Sequence, residues 1–455
     1  MRPYTEYSEQ YATLPLPKYI PWRKGRWISH ALNGTPGAVC LDGSPATMSV
    51  WPAVLPIRNT SWVVAFQGGG WCWTPQDCAL RSTSGMGSSA HVQPPLEGGI
   101  LSSSCHIAPE FCTYNKVFFR YCDGASFAGG ATFISNGANG TLTITSAGRA
   151  IVRAGIESLI RHYDLNKATD VLVTGSSAGG LAALLHASAL REAIIASGAL
   201  LRRFKLLPIS GLFFRPRTWS GVPPLWPFER QMSSIQRLAN VTVPHKCFLK
   251  FGRASAWRCL TDLEPLDAVP AQIPVFVIQS TFDLFSTSCI LAGGESPYFF
   301  LNCSSGAWNP CIRWMTPLSN RTARRFCGEE QLEQLAAYQH TAAAALVSSR
   351  RLRMVGSGAF VHSCHDHAAY TNAWIGHKDR NDTMRKLVLR WWDVRLADRD
   401  AQNAADVLRF GNCSALGEHS HSQSCLQKCG TARPLYPDQR NRLKAKILAA
   451  GLKIS

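Results

Sequence analysis

One short segment carries residues whose types and spacing suit nucleophilic catalysis. The apolar run 171–174 leads directly into residues 175–179, which read Gly-Ser-Ser-Ala-Gly and match the pattern Gly-x-Ser-x-Gly. Glycines on both sides of the central serine let the backbone turn sharply from a buried strand into a helix. Ser177 is therefore a candidate nucleophile. The same pattern also occurs in ordinary glycine turns, so its meaning depends on partners elsewhere in the chain.

A serine nucleophile needs a general base and a carboxylate that orients this base. In hydrolases of the strand-turn-helix type, the chain order is Ser, then Asp or Glu, then His, and each partner follows a later strand. Asp283 comes just after the predicted strand 273–280, where the carboxylate is expected. The loop after the next predicted strand contains three histidines, His362, His365 and His367. Spacing alone leaves the choice among them open.

Attack of a serine on an acyl carbonyl also needs backbone N–H donors where negative charge develops on the carbonyl oxygen. The run Gly-Gly-Gly-Trp at 68–71 directly follows the predicted strand 61–67. Glycines there let main-chain N–H groups approach a substrate, as in the glycine-rich motif of lipases and esterases. The N–H of Ala178, the residue after the nucleophile, is the expected second donor.

The elements that must position these residues alternate along the chain. Strands are predicted at 61–67, 116–122, 170–175, 273–280 and 353–361. Helices are predicted at 147–163, 178–189, 329–350 and 383–396. This alternation predicts an α/β fold with a mostly parallel sheet flanked by helices. The segments 202–271 and 290–327 interrupt it, and we interpret both as long loop insertions that form lids or pocket walls.

Composition narrows the class of protein. Hydrophobic residues make up 46% of the 455 residues and charged residues 17%, which indicates a globular chain. No run approaches the roughly 20 apolar residues of a membrane span, so we expect a soluble protein. We also expect it to be a monomer. The formal charge of +18 favours a polyanionic partner. Because the basic residues are dispersed and no nucleic-acid module is visible, we expect an acidic polysaccharide and not nucleic acid.

The sixteen cysteines indicate disulfides and an oxidising compartment. Several lie close in sequence, such as Cys72/Cys78, Cys105/Cys112, Cys303/Cys311 and Cys425/Cys429. Eight Asn-x-Ser/Thr acceptors also favour a secreted glycoprotein: Asn33, Asn59, Asn139, Asn240, Asn302, Asn320, Asn381 and Asn412. Residues 1–20 contain no apolar run typical of a signal peptide, which implies an upstream start or another export route.

A zinc cluster is an alternative for the last cysteines. His419 and His421 lie near Cys425 and Cys429, and all four are permissible zinc ligands. In a cysteine-rich secreted chain, a disulfide beside exposed histidines is the favoured interpretation, so we expect no metal.

Four sequence blocks carry a family resemblance. They read Leu-Asp-Gly-Ser-Pro at 41–45, Gly-Gly-Gly-Trp-Cys at 68–72, Arg-Tyr-Cys-Asp-Gly-Ala-Ser-Phe at 120–127 and Ser-Ala-Gly-Gly-Leu-Ala at 177–182. Later blocks at 246–248, 280–283 and 363–367 agree less closely but in order. From about residue 38 to 374, the chain resembles the pectin acetylesterase/Notum family. The resemblance implies an α/β-hydrolase-like fold and serine carboxylesterase chemistry without a metal or organic cofactor.

Residue by residue, the resemblance implies Ser177 as nucleophile, Asp283 as acid and His367 as base. It implies oxyanion donors at the N–H groups of Gly70, Trp71 and Ala178. Asp123, within the block 120–127, is interpreted as structural because it precedes the nucleophile and has no place in a triad. The expected organisation is an extension at 1–37, an esterase domain at 38–400 that contains both insertions, and a cysteine-containing extension at 401–455.

The resemblance also sets the expected function and its alternatives. We expect hydrolysis of O-acetyl esters on an acidic cell-wall polysaccharide such as pectin. A Notum-like deacylase of a lipid-modified protein is the alternative within the same chemistry, and a non-catalytic carbohydrate-binding protein is the alternative outside it. The chain departs from the plant pattern at Ser176, where the plant enzymes usually carry cysteine, after Arg191, and across 290–327.

Overall fold

A central β-sheet with helices on both faces forms the framework of the protein in a computed structural model. The structure describes residues 27–53, 60–91, 95, 98–137, 140–216, 228–291, 329–362, 367, 378–379, 382–393 and 408–410. The strands in these ranges are β1 (Ile28–Ala31), β2 (Thr47–Trp51), β3 (Ser61–Phe66), β4 (Asn115–Phe119), β5 (Ala131–Gly137), β6 (Gly140–Ser146), β7 (Asp170–Ser176), β8 (Arg203–Ile209), β9 (Phe276–Ser280), β10 (Gly358–His362), β11 (Lys378–Asp379), β12 (Asp382–Thr383) and β13 (Leu408–Phe410).

The α-helices in the same ranges vary in length from one turn to more than five. They are α1 (Pro75–Ser82), α2 (Gly148–Tyr163), α3 (Ala178–Ala196), α4 (Phe228–Leu238), α5 (His245–Phe251), α6 (Glu264–Asp267), α7 (Glu329–Ser348) and α8 (Met384–Asp393). Short 3₁₀ helices occupy Ser89–His91, Gly99–Leu101, Leu165–Lys167 and Arg253–Leu260, and a π-helical turn occupies Ser286–Leu291.

The central sheet contains nine of these strands in the order β1-β2-β4-β3-β7-β8-β9-β10-β13. The pairs β1–β2 and β2–β4 are antiparallel, and every pairing from β4 to β13 is parallel. Two hairpins, β5–β6 and β11–β12, lie outside this sheet. The predicted mostly parallel sheet is confirmed, and each predicted strand and helix overlaps an element of the structure.

Both faces of the sheet are covered, which explains why its central strands are apolar throughout. All six residues of β3 are buried. Trp62 and Phe66 belong to the core that contains residues of α2 and α3, whereas Val63 points to the opposite core, which contains Trp391 of α8. Because successive side chains of a strand point to opposite faces, each face must supply its own apolar partner.

Helix α3 is long and apolar enough to span a membrane by length and composition, but 78% of its most apolar window is buried inside the protein. It packs against β7, β8 and β3. Its apolar character therefore follows from its place in the core of the α/β framework.

Three strands of the central sheet lie inside segments that the sequence predicts as an insertion or as extensions. Strand β8, in the centre of the sheet, lies inside the predicted insertion 202–271. The edge strands β1 and β13 lie inside the predicted extensions 1–37 and 401–455. Strand β8 was obscured because it contains Lys205 and Pro208, and proline argues against a central strand. The edge strands have only four and three residues and carry no long apolar run.

Disulfides are present, as the cysteine content predicts. They join Cys40 to Cys122, Cys72 to Cys78, Cys105 to Cys112 and Cys247 to Cys259, and Cys289 is disulfide-bonded as well. Two of the close pairs noted in the sequence are thus bonded. The pairs Cys303/Cys311 and Cys425/Cys429 lie outside the described residues, as do most of 290–327 and the histidines of the zinc alternative.

Candidate active site

Ser177 lies in a sharp turn between β7 and α3. Its backbone φ of 58° and ψ of −129° place a non-glycine residue in a conformation that L-amino acids rarely adopt. Gly179 makes the turn possible, since a Cβ at that position would lie 2.2 Å from the carbonyl oxygen of Phe66 on β3. The Ser177 N–H donates to the carbonyl of Ile209 on β8 at 2.9 Å. This turn of residues 175–179, the serine turn below, therefore holds the hydroxyl in one place at the carboxyl end of the sheet.

Asp283 follows β9 at the same edge of the sheet. Its side chain is 2% exposed, and its Oδ1 accepts a hydrogen bond from the Ser286 N–H at 2.8 Å. The Asp283 carbonyl accepts a hydrogen bond from the Thr287 N–H at 2.9 Å. The Ser286 N–H therefore holds the carboxylate through Oδ1, which leaves Oδ2 for a second partner.

His367 supplies that second partner. Its Nδ1 lies 2.6 Å from Asp283 Oδ2, and the side chain is only 4% exposed. A carboxylate at Nδ1 fixes the tautomer with the proton on Nδ1, so Nε2 presents a lone pair and can accept a proton. Among the described residues Nε2 has no hydrogen-bond partner, so the structure shows no direct bond to Ser177 Oγ.

The ring of Phe285 stacks on His367, with ring centroids 5.4 Å apart and an angle of 27° between the planes. His362, the other described histidine of the loop, is the last residue of β10 and is buried there. Its carbonyl accepts from the Thr281 N–H at 2.7 Å. His365 and Asp366 lie outside the described residues. Of the two described histidines, only His367 contacts Asp283.

The run Gly68-Gly69-Gly70-Trp71, the glycine turn below, packs directly against the serine turn. A Cβ on Gly68 would lie 2.4 Å from the Ser176 carbonyl oxygen and 2.9 Å from Ser177 Cβ. Glycine is therefore required where the two turns touch. Ala178 is the first residue of α3, so its N–H has no acceptor within the helix and points toward the helix N-terminus.

Buried polar groups that spacing could not reveal surround the glycine turn. Arg81, on α1, donates from Nη2 to the Gly69 carbonyl at 2.8 Å. The Tyr121 hydroxyl donates to the Gly70 carbonyl at 2.7 Å. The Trp71 indole donates to Ser126 Oγ at 2.8 Å. Tyr121 and Ser126 lie in the block 120–127, whereas Arg81 carried no signal in the sequence.

Asp123 holds the turn that contains Ser126. Its carboxylate accepts hydrogen bonds from the N–H groups of Ala125, Phe127 and Gly129 at 3.0–3.2 Å. Burial raises the pKa of Asp123, and these backbone donors oppose the rise. These contacts agree with the structural role predicted for Asp123.

Three aromatic side chains cluster beside His367. Trp71 packs on Phe213 and Phe285, with centroids 4.7 and 5.8 Å apart, and Phe213 packs on Phe285 at 5.7 Å. All three pairs are edge-to-face, which is a favoured arrangement for aromatic rings. Trp71 and Phe213 are almost fully buried. The rings form an apolar wall between the glycine turn and the histidine.

The described residues contain no group of three His, Cys, Asp or Glu side chains that could hold a metal ion. At one edge of the sheet they bring together a nucleophile candidate, a histidine–carboxylate pair and the N-terminal N–H of α3 at Ala178.

The strand order and the serine turn after β7 define an α/β-hydrolase-like fold. The solved structure of the Wnt deacylase Notum from Drosophila is similar to this chain, with a TM-score of 0.63 and 18% identity, over 85% of this chain and 96% of that one. At this identity the likeness concerns the fold.

The family follows from sequence. The family model Pectinacetylesterase matches residues 28–414, so the chain belongs to the pectinacetylesterase family. Pectin acetylesterase 5 of Arabidopsis thaliana is 27% identical over 78% of this chain and 77% of its own length, and pectin acetylesterase 11 is 27% identical over 79% and 85%. Palmitoleoyl-protein carboxylesterase NOTUM of Schmidtea mediterranea is 24% identical over 78% and 60%. The protein is a carboxylic ester hydrolase.

Proposed function

We propose that the protein hydrolyses O-acetyl esters of an anionic cell-wall polysaccharide such as pectin, with Ser177, His367 and Asp283 as the catalytic triad. The observation that carries the proposal is the 2.6 Å contact between His367 Nδ1 and Asp283 Oδ2 in a buried site. That contact prepares Nε2 as a proton acceptor. The proposed nucleophile is at the same edge of the sheet, where parallel strands place their functional loops.

In the proposed reaction, Ser177 Oγ attacks the acyl carbonyl carbon while its proton moves to His367 Nε2. The carbonyl oxygen becomes an oxyanion, which accepts hydrogen bonds from the N–H groups of Gly70, Trp71 and Ala178. Collapse of this intermediate breaks the ester bond, and the sugar oxygen leaves with the proton from Nε2. Water then attacks the acetyl-serine and gives a proton to Nε2. When this second intermediate collapses, Ser177 Oγ leaves with the proton from Nε2, and the acetic acid that is released ionises to acetate.

The aromatic wall supports a small acyl group. Trp71, Phe213 and Phe285 pack on one another and occupy the space beside His367 with their own rings. A long acyl chain would need that space. Each methylene contributes about 0.8 kcal/mol of binding free energy only if a pocket is open to bury it. The net charge of +18 supports a substrate that carries carboxylates.

An oxidising, extracellular location is part of the proposal. Four disulfides among the described residues support it, since such bonds persist outside reducing compartments. Asn33 and Asn240, the acceptor asparagines that the structure describes, are both exposed. Site-resolved mass spectrometry of the protein recovered from the culture medium tests whether the protein is exported and whether Asn33 and Asn240 are glycosylated. Absence of the protein from the medium would contradict the extracellular location.

The decisive experiment compares Ser177→Ala with the neighbouring control Ser176→Ala. Wild type and Ser176→Ala should react with a fluorophosphonate probe and release acetate from acetylated pectin, whereas Ser177→Ala should do neither. Retention of turnover by Ser177→Ala would overturn the triad. Substrate class is tested separately, with acetylated pectin, acetylated xylan and octanoyl esters. Faster hydrolysis of the octanoyl esters would favour deacylation of a lipid-modified protein instead.

A further inference from the structure

Two buried side chains hold the carbonyl groups of the glycine turn. Arg81 Nη2 donates to the Gly69 carbonyl, and the Tyr121 hydroxyl donates to the Gly70 carbonyl. The two side chains also contact each other, because the Arg81 guanidinium lies 5.0 Å from the centre of the Tyr121 ring. Both are buried, at 3% and 0% exposure. A buried arginine is tolerated only where it is well paired. The contacts of Arg81 and Tyr121 with the glycine turn therefore need a functional explanation.

The geometry of the peptide bond explains what these contacts do. In a planar trans peptide, the carbonyl of one residue and the N–H of the next point in opposite directions. The Gly69 carbonyl shares its peptide with the Gly70 N–H, and the Gly70 carbonyl shares its peptide with the Trp71 N–H. Fixing a carbonyl therefore aims the N–H on the other side of the same peptide. The two N–H groups aimed in this way are the proposed oxyanion donors.

Both contacts are anchored in turn. Arg81 Nε donates to the Met86 carbonyl at 3.0 Å, so the guanidinium bridges the glycine turn and the segment after α1. The Tyr121 hydroxyl accepts from the Ser126 N–H at 2.9 Å, which fixes the direction of its own proton toward Gly70. The disulfide Cys72–Cys78 joins the residue after the glycine turn to α1, the helix that carries Arg81.

We propose that Arg81 and Tyr121 are positioning residues for ester hydrolysis: Arg81 orients the Gly70 N–H, and Tyr121 orients the Trp71 N–H. This inference rests on the proposed oxyanion hole. In this proposal both side chains act through the peptides of the glycine turn and not by contact with the substrate. Donors on the carbonyl side also polarise the two peptides, which strengthens their N–H groups as donors.

Tyr121→Phe tests the proposal because it removes only the hydroxyl. Removing one oxyanion donor costs roughly 10²–10³ in kcat, so a donor that is present but misaligned should cost about 10- to 100-fold. KM should change little, because the contact gains its strength in the transition state. A boronic acid that forms a tetrahedral adduct with Ser177 should bind more weakly by a factor similar to the fall in kcat/KM.

Tyr114→Phe is a matched control. Tyr114 is also buried, and its hydroxyl donates to Glu110 Oε1 at 2.9 Å and accepts from the Trp392 indole at 3.2 Å. Loss of the Tyr114 hydroxyl should lower thermal stability about as much as loss of the Tyr121 hydroxyl does, without changing kcat or boronate affinity. Arg81→Lys is the second variant, and it should show the same kcat and boronate signature as Tyr121→Phe.

The proposal is overturned if folded Tyr121→Phe keeps kcat and boronate affinity within twofold of wild type. It is also overturned if both tyrosine variants lose activity only in proportion to their lost thermal stability. Failure of the proposed triad looks different, because wild type would then not be labelled at Ser177 and Ser177→Ala would stay active.

Discussion

His367 Nδ1 and Asp283 Oδ2 lie 2.6 Å apart although 84 residues separate them in the chain. Both side chains are almost fully buried. The contact is possible because β9 and β10 are parallel neighbours, so the loops that follow them emerge at the same edge of the sheet. The buried carboxylate fixes the imidazole in one tautomer, which is the property a general base requires.

Asp283→Asn should therefore remove activity while it preserves the shape of the site. An asparagine amide that donates to Nδ1 would select the opposite tautomer, with the proton on Nε2, where it cannot accept the serine proton. We expect kcat to fall by about 10⁴-fold, as in serine hydrolases whose orienting aspartate becomes asparagine. The measurement is acetate release at saturating substrate.

Asp164→Asn is the control for this change, since Asp164 caps the C-terminus of α2 at a positive φ of 57°, which asparagine also tolerates. It should leave kcat unchanged. If Asp283→Asn kept more than a tenth of wild-type kcat, the pair would not orient the base.

Phe285→Ala should broaden the acyl specificity. The ring contacts Trp71, Phe213 and His367, so its removal opens space beside the proposed acyl position. Because each methylene buried in new space contributes about 0.8 kcal/mol, the ratio of kcat/KM for octanoyl over acetyl esters should rise roughly tenfold or more. The ratio cancels any loss of general activity caused by the missing stack on His367.

Phe251→Ala is the matched control for acyl specificity, because Phe251 is a half-buried aromatic residue at the end of α5 that packs on Lys250 and Arg258. It should leave the ratio at the wild-type value. An unchanged ratio in Phe285→Ala would show that the aromatic wall does not limit acyl length.

Motifs and apolar runs allowed much of the framework, Ser177 and Asp283 to be predicted, but narrowed the base only to a loop with three histidines. The nucleophile, the glycine turn and Asp283 each follow a buried strand, and buried strands leave a strong apolar signal. Strand β8 left none, because Lys205 lies inside it. The buried Lys205 amine donates to the carbonyls of Trp391 and Trp392 at the end of α8, a tertiary contact that no local pattern encodes.

The supports of the glycine turn could not be predicted for a similar reason. Arg81 lies twelve residues from its partner Gly69, on an amphipathic helix where arginine is ordinarily a surface residue. The choice of His367 over His362 and His365 came from family resemblance and not from spacing. Only the contact with Asp283 gives it a physical basis.

His186 should make the protein sensitive to acid. Burial lowers the pKa of His186 to about 4, and the ring stays neutral while it contacts the Phe127 carbonyl at 2.9 Å. In the unfolded chain, His186 takes up a proton below about pH 6.5. Between pH 6.5 and 4 the unfolded state therefore binds more protons, so the free energy of unfolding falls as the pH falls, by up to about 3 kcal/mol.

His186→Gln should flatten this dependence, because glutamine does not titrate. Denaturant unfolding of wild type and variant at pH 7 and pH 4.5 measures the difference, and the common contribution of the carboxylates cancels in the comparison. His245→Gln changes an exposed histidine and should keep the wild-type dependence. Equal slopes for His186→Gln and wild type would show that His186 is protonated in the folded protein.

Gly68→Ala should separate the two turns of the site. The added Cβ would lie 2.4 Å from the Ser176 carbonyl oxygen, which is backbone and cannot move aside as a flexible side chain can. Either the glycine turn or the serine turn must shift, and a shift of about 1 Å costs about 10²-fold in rate when it misplaces reacting groups. We expect kcat to fall at least 100-fold, measured as acetate release, with a slower fluorophosphonate reaction at Ser177.

Gly34→Ala is the control for this substitution, since a Cβ at Gly34 meets nothing within 4 Å. It should match wild type in both assays. A Gly68→Ala protein that folds and turns over at the wild-type rate would mean that the contact between the turns does not define the reactive geometry.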